Sequence, residues 1–255
     1  MTDTQPQHLS LPGTPSWLDF EPLLPAERML LRAAARGDIA KVGYRRPRSA
    51  TADVRLRAEF LAVLARGVGE EGAPVSLRRL QVMGACIVGR LDLAGATVPM
   101  SLWFYRCTFG AAPLFEAARV RGSVAFSDCA LPGLRAEGCV IEGELAITAG
   151  CSVDGEIQLA RSVVRGDLDC ERLRMRSASP AERVLRQMFV ADGMQVAGSV
   201  NLHGGVESVG EMRFVGAQIG SDLRASTARM TADVDAAGTR GVALNLDRAR
   251  IGGSV

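Results

Sequence analysis

From Leu80 onward an apolar position returns every 10 to 12 residues, and this short period constrains the fold more than any other feature of the chain. It is plainest between Gly143 and Cys170, where GELAITAGCSVDGEIQLARSVVRGDLDC repeats one phrase, G-x-L-x-L-x-x-(A/C)-x-V-x. Placing an anchor on the apolar residue after G-x gives Leu80, Leu91, Leu102, Pro113, Val124, Leu134, Leu145, Ile157, Leu168, Phe189, Val200, Met212, Leu223, Val234, Leu244 and Val255. One spacing of 21, Leu168 to Phe189, breaks the rhythm. A fixed short period held over most of a chain marks a solenoid in which each unit buries its apolar face against the next.

The positions inside the phrase say what kind of solenoid. A second apolar residue follows most anchors by two, as in Phe104, Phe126 and Ile147, which is the alternation of a short strand. A small residue (Ala96, Cys107, Ala118, Cys139) comes six before the next anchor, and a branched one (Val98, Val120, Ile141, Val164) four before it. Glycine recurs two before the anchor, at Gly122, Gly143, Gly155 and Gly166, where walls must approach closely or turn. Two strands per unit of about 11 residues predict a mainly β fold: a right-handed, quadrilateral parallel β-helix of about 22 residues per turn, spanning 75–255.

Ahead of the repeats, residues 1–24 are proline-rich and aperiodic and read as a flexible tail pinned by Trp17 and Phe20. A helical cap is expected over 25–74. Pro25 to Arg36 has proline at the first helical position and Gly37 as a stop, and a second helix is expected from about Ala52 to Arg66. Residues 38–50 read as a linker with a basic cluster at Arg45, Arg46 and Arg48. Such a cap covers the strand edge and core that a solenoid end exposes.

The chemistry-bearing residues are sparse. His8 and His203 are the only histidines, no Gly-rich phosphate loop or nucleophile elbow occurs, and no cysteine pair has metal-ligand spacing, so no catalytic residue, cofactor or metal is expected. Cys107, Cys139 and Cys151 fall on the small inward step, Cys129 one residue off it, and Cys86 beside it as the expected surface thiol. The acid pairs Asp167/Asp169 and Asp233/Asp235 interleave with arginine and read as solvated wall. Trp103 and Tyr105 alternate with inward Leu102 and Phe104 and so face outward, as a contact point or as packing under the helices. The long gap reads as a missing half-unit replaced by a loop near 172–186 that carries Arg172, Arg174, Arg176, Arg183 and Arg186. These five arginines and the two aromatics form the candidate interaction surface.

Net charge is +2, and residues 75–255 hold 20 Arg against 19 Asp+Glu. That balance gives no pull toward nucleic acid and no acidic wall of the kind that mimics DNA. Apolar runs such as Phe60–Ala65 are too short to span a bilayer, and no leader is evident, so the expectation is a cytoplasmic protein without membrane insertion. The chain stops in mid-phrase at Ile251-Gly-Gly-Ser-Val255, which fits a piece of a longer solenoid or an open end that pairs in an end-to-end homodimer.

The phrases Arg57-Ala-Glu-Phe-Leu, Gly89-Arg-Leu-Asp-Leu-Ala-Gly-Ala, Val164-Arg-Gly-Asp-Leu-Asp-Cys170 and Ala191-Asp-Gly-Met-Gln-Val-Ala-Gly-Ser-Val200 resemble a family of actinobacterial repeat proteins related in pattern to pentapeptide-repeat proteins. The resemblance covers about residues 22 to 255 and implies a helical segment followed by a long β-solenoid. Members are often labelled "oxidoreductase" or "membrane-associated oxidoreductase", and the pentapeptide-repeat pattern implies topoisomerase protection as another activity. The residues themselves read as a non-enzymatic scaffold that binds an unidentified protein partner, or self-associates, through its walls, its loop or its open end.

Overall fold

The computed structural model describes residues 16–67, 79–176 and 185–255. Their strands form four parallel sheets, which are the four walls of a parallel β-helix. Wall I contains Arg79–Met83, Ser101–Tyr105, Val124–Ser127, Leu145–Thr148, Leu168–Asp169, Val200–Asn201 and Leu223–Arg224. Wall II runs from Cys86–Val88 through Thr108–Phe109 and Ser152–Val153 to Arg229–Thr231. Wall III holds Leu134–Arg135, Ile157–Gln158, Gln187–Val190, Glu211–Arg213 and Leu244–Asn245; wall IV runs from Thr97–Val98 to Arg250–Ile251.

The register bears out the repeat. Leu80, Leu102, Val124, Leu145, Leu168, Val200 and Leu223 are successive partners on wall I, and all are buried. The alternate anchors, Leu134, Ile157, Phe189 and Met212, stack on wall III. Most strands outside wall I are two residues long, because the chain must turn a corner after each inward pair. The core is an apolar column, with Phe104 stacked on Phe126 at 5.3 Å and Phe189 on Phe214 at 5.4 Å.

The corners explain the small residues. A Cβ on Gly155 would meet the Pro132 carbonyl oxygen one turn below, and one on Gly220 would meet that of Ala197. Other corners pass through the left-handed region, and several are held there by residues with a side chain, among them Arg106 (φ 50°), Ala117 (φ 53°) and Arg161 (φ 56°). Where walls IV and I meet, side-chain oxygens accept the backbone N–H of the following turn. Asp167 Oδ1 takes Ser199 N at 2.7 Å, and Asp222 Oδ1 takes Ser254 N at 2.8 Å. Asp167 is therefore part of the stacking ladder as well as of the outer wall.

The cap merges with the coils. Helix α1 spans Pro25–Arg36, with Pro25 at its first turn and Gly37 (φ 72°) closing it. The segment read as a linker contains a strand instead: Ile39–Lys41 pairs with Gln81–Met83 and extends wall I. The second helix is shorter than expected. Arg55–Arg57 pairs with Cys86–Val88 on wall II, and α2 covers only Ala58–Ala65. The reason is Leu56, which is fully buried on the strand, whereas a helix through it would leave the first coil without a neighbour. Helix α2 is buried on almost every face, and Glu59 alone of its residues is exposed. Of the segment read as a flexible tail, residues 1–15 lie outside the described residues, and Trp17 and Phe20 pack on the core as expected, with Phe20 meeting Phe60 edge-on at 5.6 Å and Leu23 buried.

Between the cap strands, residues 43–51 strap the corner of walls I and II. Thr108 Oγ1 donates to the Pro47 carbonyl at 2.6 Å, Arg46 to that of Cys129 at 3.2 Å, and Arg106 to that of Tyr44 at 2.8 Å. Cys86 lies on the wall II strand at this strapped corner and is only 8% exposed, which corrects its reading as a surface thiol. Cys129 is likewise in step: Cys107, Cys129 and Cys151 stack in consecutive turns, with Cys107 N donating to Cys129 Sγ at 3.4 Å and Cys129 N to Cys151 Sγ at 3.2 Å.

Two further readings change. No half-unit is missing after Leu168, since Arg174–Met175 pairs with Ser152–Val153 on wall II and the next described strand, Gln187–Val190, belongs to wall III. A second insertion lies between the same two walls two turns later. Val234, taken as an anchor, is 46% exposed and bridges Arg240 in a small antiparallel loop, while Leu244 resumes wall III. Val255 is 85% exposed. No helix among the described residues is long and apolar enough to cross a membrane.

Candidate functional site

Wall I is the broadest face. Its strands are five residues long at Arg79–Met83 and Ser101–Tyr105, and four at Val124–Ser127 and Leu145–Thr148. Strand alternation then lays out three outward rows. The middle row reads Gln81, Trp103, Ala125, Ala146, Asp169, and a row beside it reads Met83, Tyr105, Ser127, Thr148. The third row lies one residue before the inward anchors: Arg79, Ser101, Ser123, Glu144, Asp167.

The aromatic pair stands at one end of this platform. Trp103 and Tyr105 meet edge-on at 6.2 Å, and the Arg79 guanidinium lies 4.9 Å from the indole centroid. Neither ring is fully buried, although the Trp103 Nε1 atom is enclosed and has no hydrogen-bond partner. Burial, opposed by the nearby Arg79, raises the Tyr105 hydroxyl pKa. Ala125 and Ala146, flanked by Ser127 and Thr148, make the adjoining floor low and flat. Beyond it stand Glu144, Asp167 and Asp169. Desolvation raises the Glu144 carboxyl pKa, and the charges of Asp169 and Asp167 add to the shift. Among the described residues none of these three carboxylates has an ion-pair partner, and neither do Arg79 and Lys41 at the opposite end.

The four described arginines of the expected loop do not form one patch. Arg172 occupies a left-handed corner (φ 57°) beside Glu171, at 3.7 Å. Arg174 belongs to wall II, and Arg174 and Arg176 share Glu207 at 4.0 and 3.7 Å. The Arg186 backbone N–H donates to Asp233 Oδ2 at 3.3 Å, and Arg183 lies outside the described residues. What the sequence reading missed is the segregation of charge on wall I over the turns from Arg79 to Asp169. Its signal was present in the period, since Arg79 and Asp167 occupy the same step of the phrase.

Elsewhere the described surface carries little that could do chemistry. An open cleft of about 430 Å³ on wall IV is lined by Arg165, Gln195, Gln218 and Arg250 and holds no carboxylate, thiol, imidazole or hydroxyl. Among the described residues no cluster of three or more His, Cys, Asp or Glu could hold a metal ion. The thiols are buried, and burial pushes Cys139 up to about 12 and also raises Cys129 and Cys170. Thiols of this kind are poor nucleophiles.

Fold and face together define a class, a capped four-walled parallel β-helix with one broad, charge-segregated wall. No protein-family model, curated protein or solved structure matches the chain.

Proposed function

We propose that the protein is a non-enzymatic scaffold that contacts another protein through wall I. The observation that carries this reading is the platform itself: a wide, flat strand face with small residues at its centre and an aromatic pair pinned by Arg79 at one end. Anchors of this type dominate the energy of protein contacts, where tryptophan, tyrosine and arginine are enriched. A filled core and scattered ion-paired arginines leave wall I as the face best suited to recognition.

The test is affinity capture from extract of the native host. The wild-type protein is compared with Trp103→Ala/Tyr105→Ala and with Gln195→Ala/Gln218→Ala as a wall IV control. The reading expects a specifically retained protein, an untagged copy of this chain included, that the wall I variant loses and the control keeps. Equal retention by all three overturns it.

A further inference from the structure

The charge on wall I suggests what covers it. Counted in turns from Ala125, Arg79 lies two turns toward the cap and Trp103 and Tyr105 one turn. In the other direction Glu144, Ala146 and Thr148 lie one turn away, and Asp167 and Asp169 two. Cation and aromatics on one side of Ala125 are thus mirrored, step for step, by carboxylates and small residues on the other.

From this arrangement, and resting on the scaffold reading above, we propose that the partner on wall I is a second copy of the chain, packed side by side and antiparallel. Two such faces meet about a two-fold axis that lies in the interface, parallel to the strands, at the level of Ala125. An operator of that kind reverses the direction of the β-helix and keeps each outward row opposite itself. Arg79 of one copy then faces Asp167 and Glu144 of its partner, Trp103 faces Ala146, and Tyr105 faces Thr148. Large residues meet small ones, and the Arg79 of each copy meets unpaired carboxylates. The contact is isologous, so both ends of the interface are satisfied at once and the assembly closes as a dimer.

The size of the wall sets the strength. Five strands about 4.8 Å apart and about 7 to 16 Å long give a flat footprint of roughly 300 Å² per copy. The area covered on both copies is then roughly 600 Å², below the usual range for specific contacts, so the dimer is reversible and weak. Its charged ends are solvent-edged, and raising the salt loosens it.

Sedimentation equilibrium over a wide concentration range tests the proposal with two single variants, Arg79→Glu and Glu144→Arg. Both sites are exposed and neither side chain makes a hydrogen bond among the described residues, so both variants should stay folded, Arg79→Glu giving up only its contact with the Trp103 ring. Wild-type protein is expected to dimerise, and each variant alone to be at least tenfold weaker, because each sets like charges together at both ends. Mixing the two variants is expected to restore dimerisation. At one end of the mixed dimer the two exchanged side chains face each other with opposite charge, and at the other end the original Arg79 meets the original Glu144. A general loss of folding cannot produce that rescue. Wild-type protein that stays monomeric, dimers indifferent to both variants as an end-to-end contact would give, or a mixture that stays monomeric overturns the proposal. If wall I variants still lose a retained protein from host extract in any of those cases, the scaffold reading stands and only the second copy is rejected.

Discussion

Replacing Glu27 with alanine is expected to loosen the cap from the coils by about 3 kcal/mol. The Glu27 side chain has no exposed surface. Its carboxylate accepts hydrogen bonds from Arg57 Nε at 2.7 Å, from Arg57 Nη2 at 2.5 Å, and from the backbone N–H groups of Leu24 at 2.9 Å and Arg57 at 3.2 Å. These bonds join α1 to the wall II strand that leads into α2. Breaking a buried pair by deleting one member costs about 3–5 kcal/mol, because the other charge is left uncompensated. The lower figure applies because Arg57 is 30% exposed, donates to the Phe20 carbonyl at 2.6 Å and sits over the Phe20 ring. Burial alone would raise the Glu27 carboxyl, but the hydrogen bonds from Arg57 and Leu24 outweigh it and hold the pKa below its ordinary 4.5. A carboxylate depressed in the folded state adds stability that is complete above that ordinary value and drains away as pH falls through the folded pKa. The gap between wild type and Glu27→Ala is therefore widest at neutral pH and closes in acid. A solenoid opens from its ends, so native-state hydrogen exchange is the assay, with amides of α1 and Arg55–Arg57 read against those of Leu168–Asp169. Cap amides should exchange about a hundredfold faster in the variant, with the distant coil little changed. A loss under about 1 kcal/mol, or one equally large at about pH 3 and about pH 7, would refute the reasoning.

Other parts of the account make separate demands. Gly155→Ala places a Cβ against the Pro132 carbonyl and should destabilise by about 1–3 kcal/mol in chemical denaturation, whereas an unchanged midpoint would mean the turns are not in contact there. Ala117→Gly relieves a left-handed corner and should raise stability by about 0.5–1 kcal/mol; a drop would show that the corner is not held at positive φ. A maleimide reagent should label none of the 6 cysteines within the lifetime of the native state and all of them in denaturant, and rapid native labelling of Cys86 would contradict the strap over its corner.

The coil was legible because its physics is local and periodic. Leu80, Leu102 and Val124 announce the wall by spacing alone, and the small inward steps announce the corners. Where the reading went astray, a tertiary partner overrode a local signal. Arg55-Leu56-Arg57 sits inside a plausible helical stripe and becomes a strand because Cys86–Val88 offers it an edge. Val234 falls on the period by coincidence, which hid a second insertion at the corner that also carries the first. Cys129 lost its place because the unit before Leu134 is short in sequence, although its turn is of normal length in space. At the candidate site the outward direction of Trp103 and Tyr105 was readable, but the platform was not. It depends on which residues of different turns lie side by side, and that needs the register across the wall. The loop arginines were grouped by sequence proximity, and the fold distributes the four described ones to a corner, a wall and a loop base.

The most direct test of wall I as the contact face is hydroxyl-radical footprinting of the protein in native-host extract and after purification at high dilution. The account predicts that Trp103 and Tyr105 are protected in extract and reactive when dilute, while Tyr44, 72% exposed on the strap, reacts equally in both. Trp103 and Tyr105 oxidised at the same rate in extract as in dilute solution would contradict it.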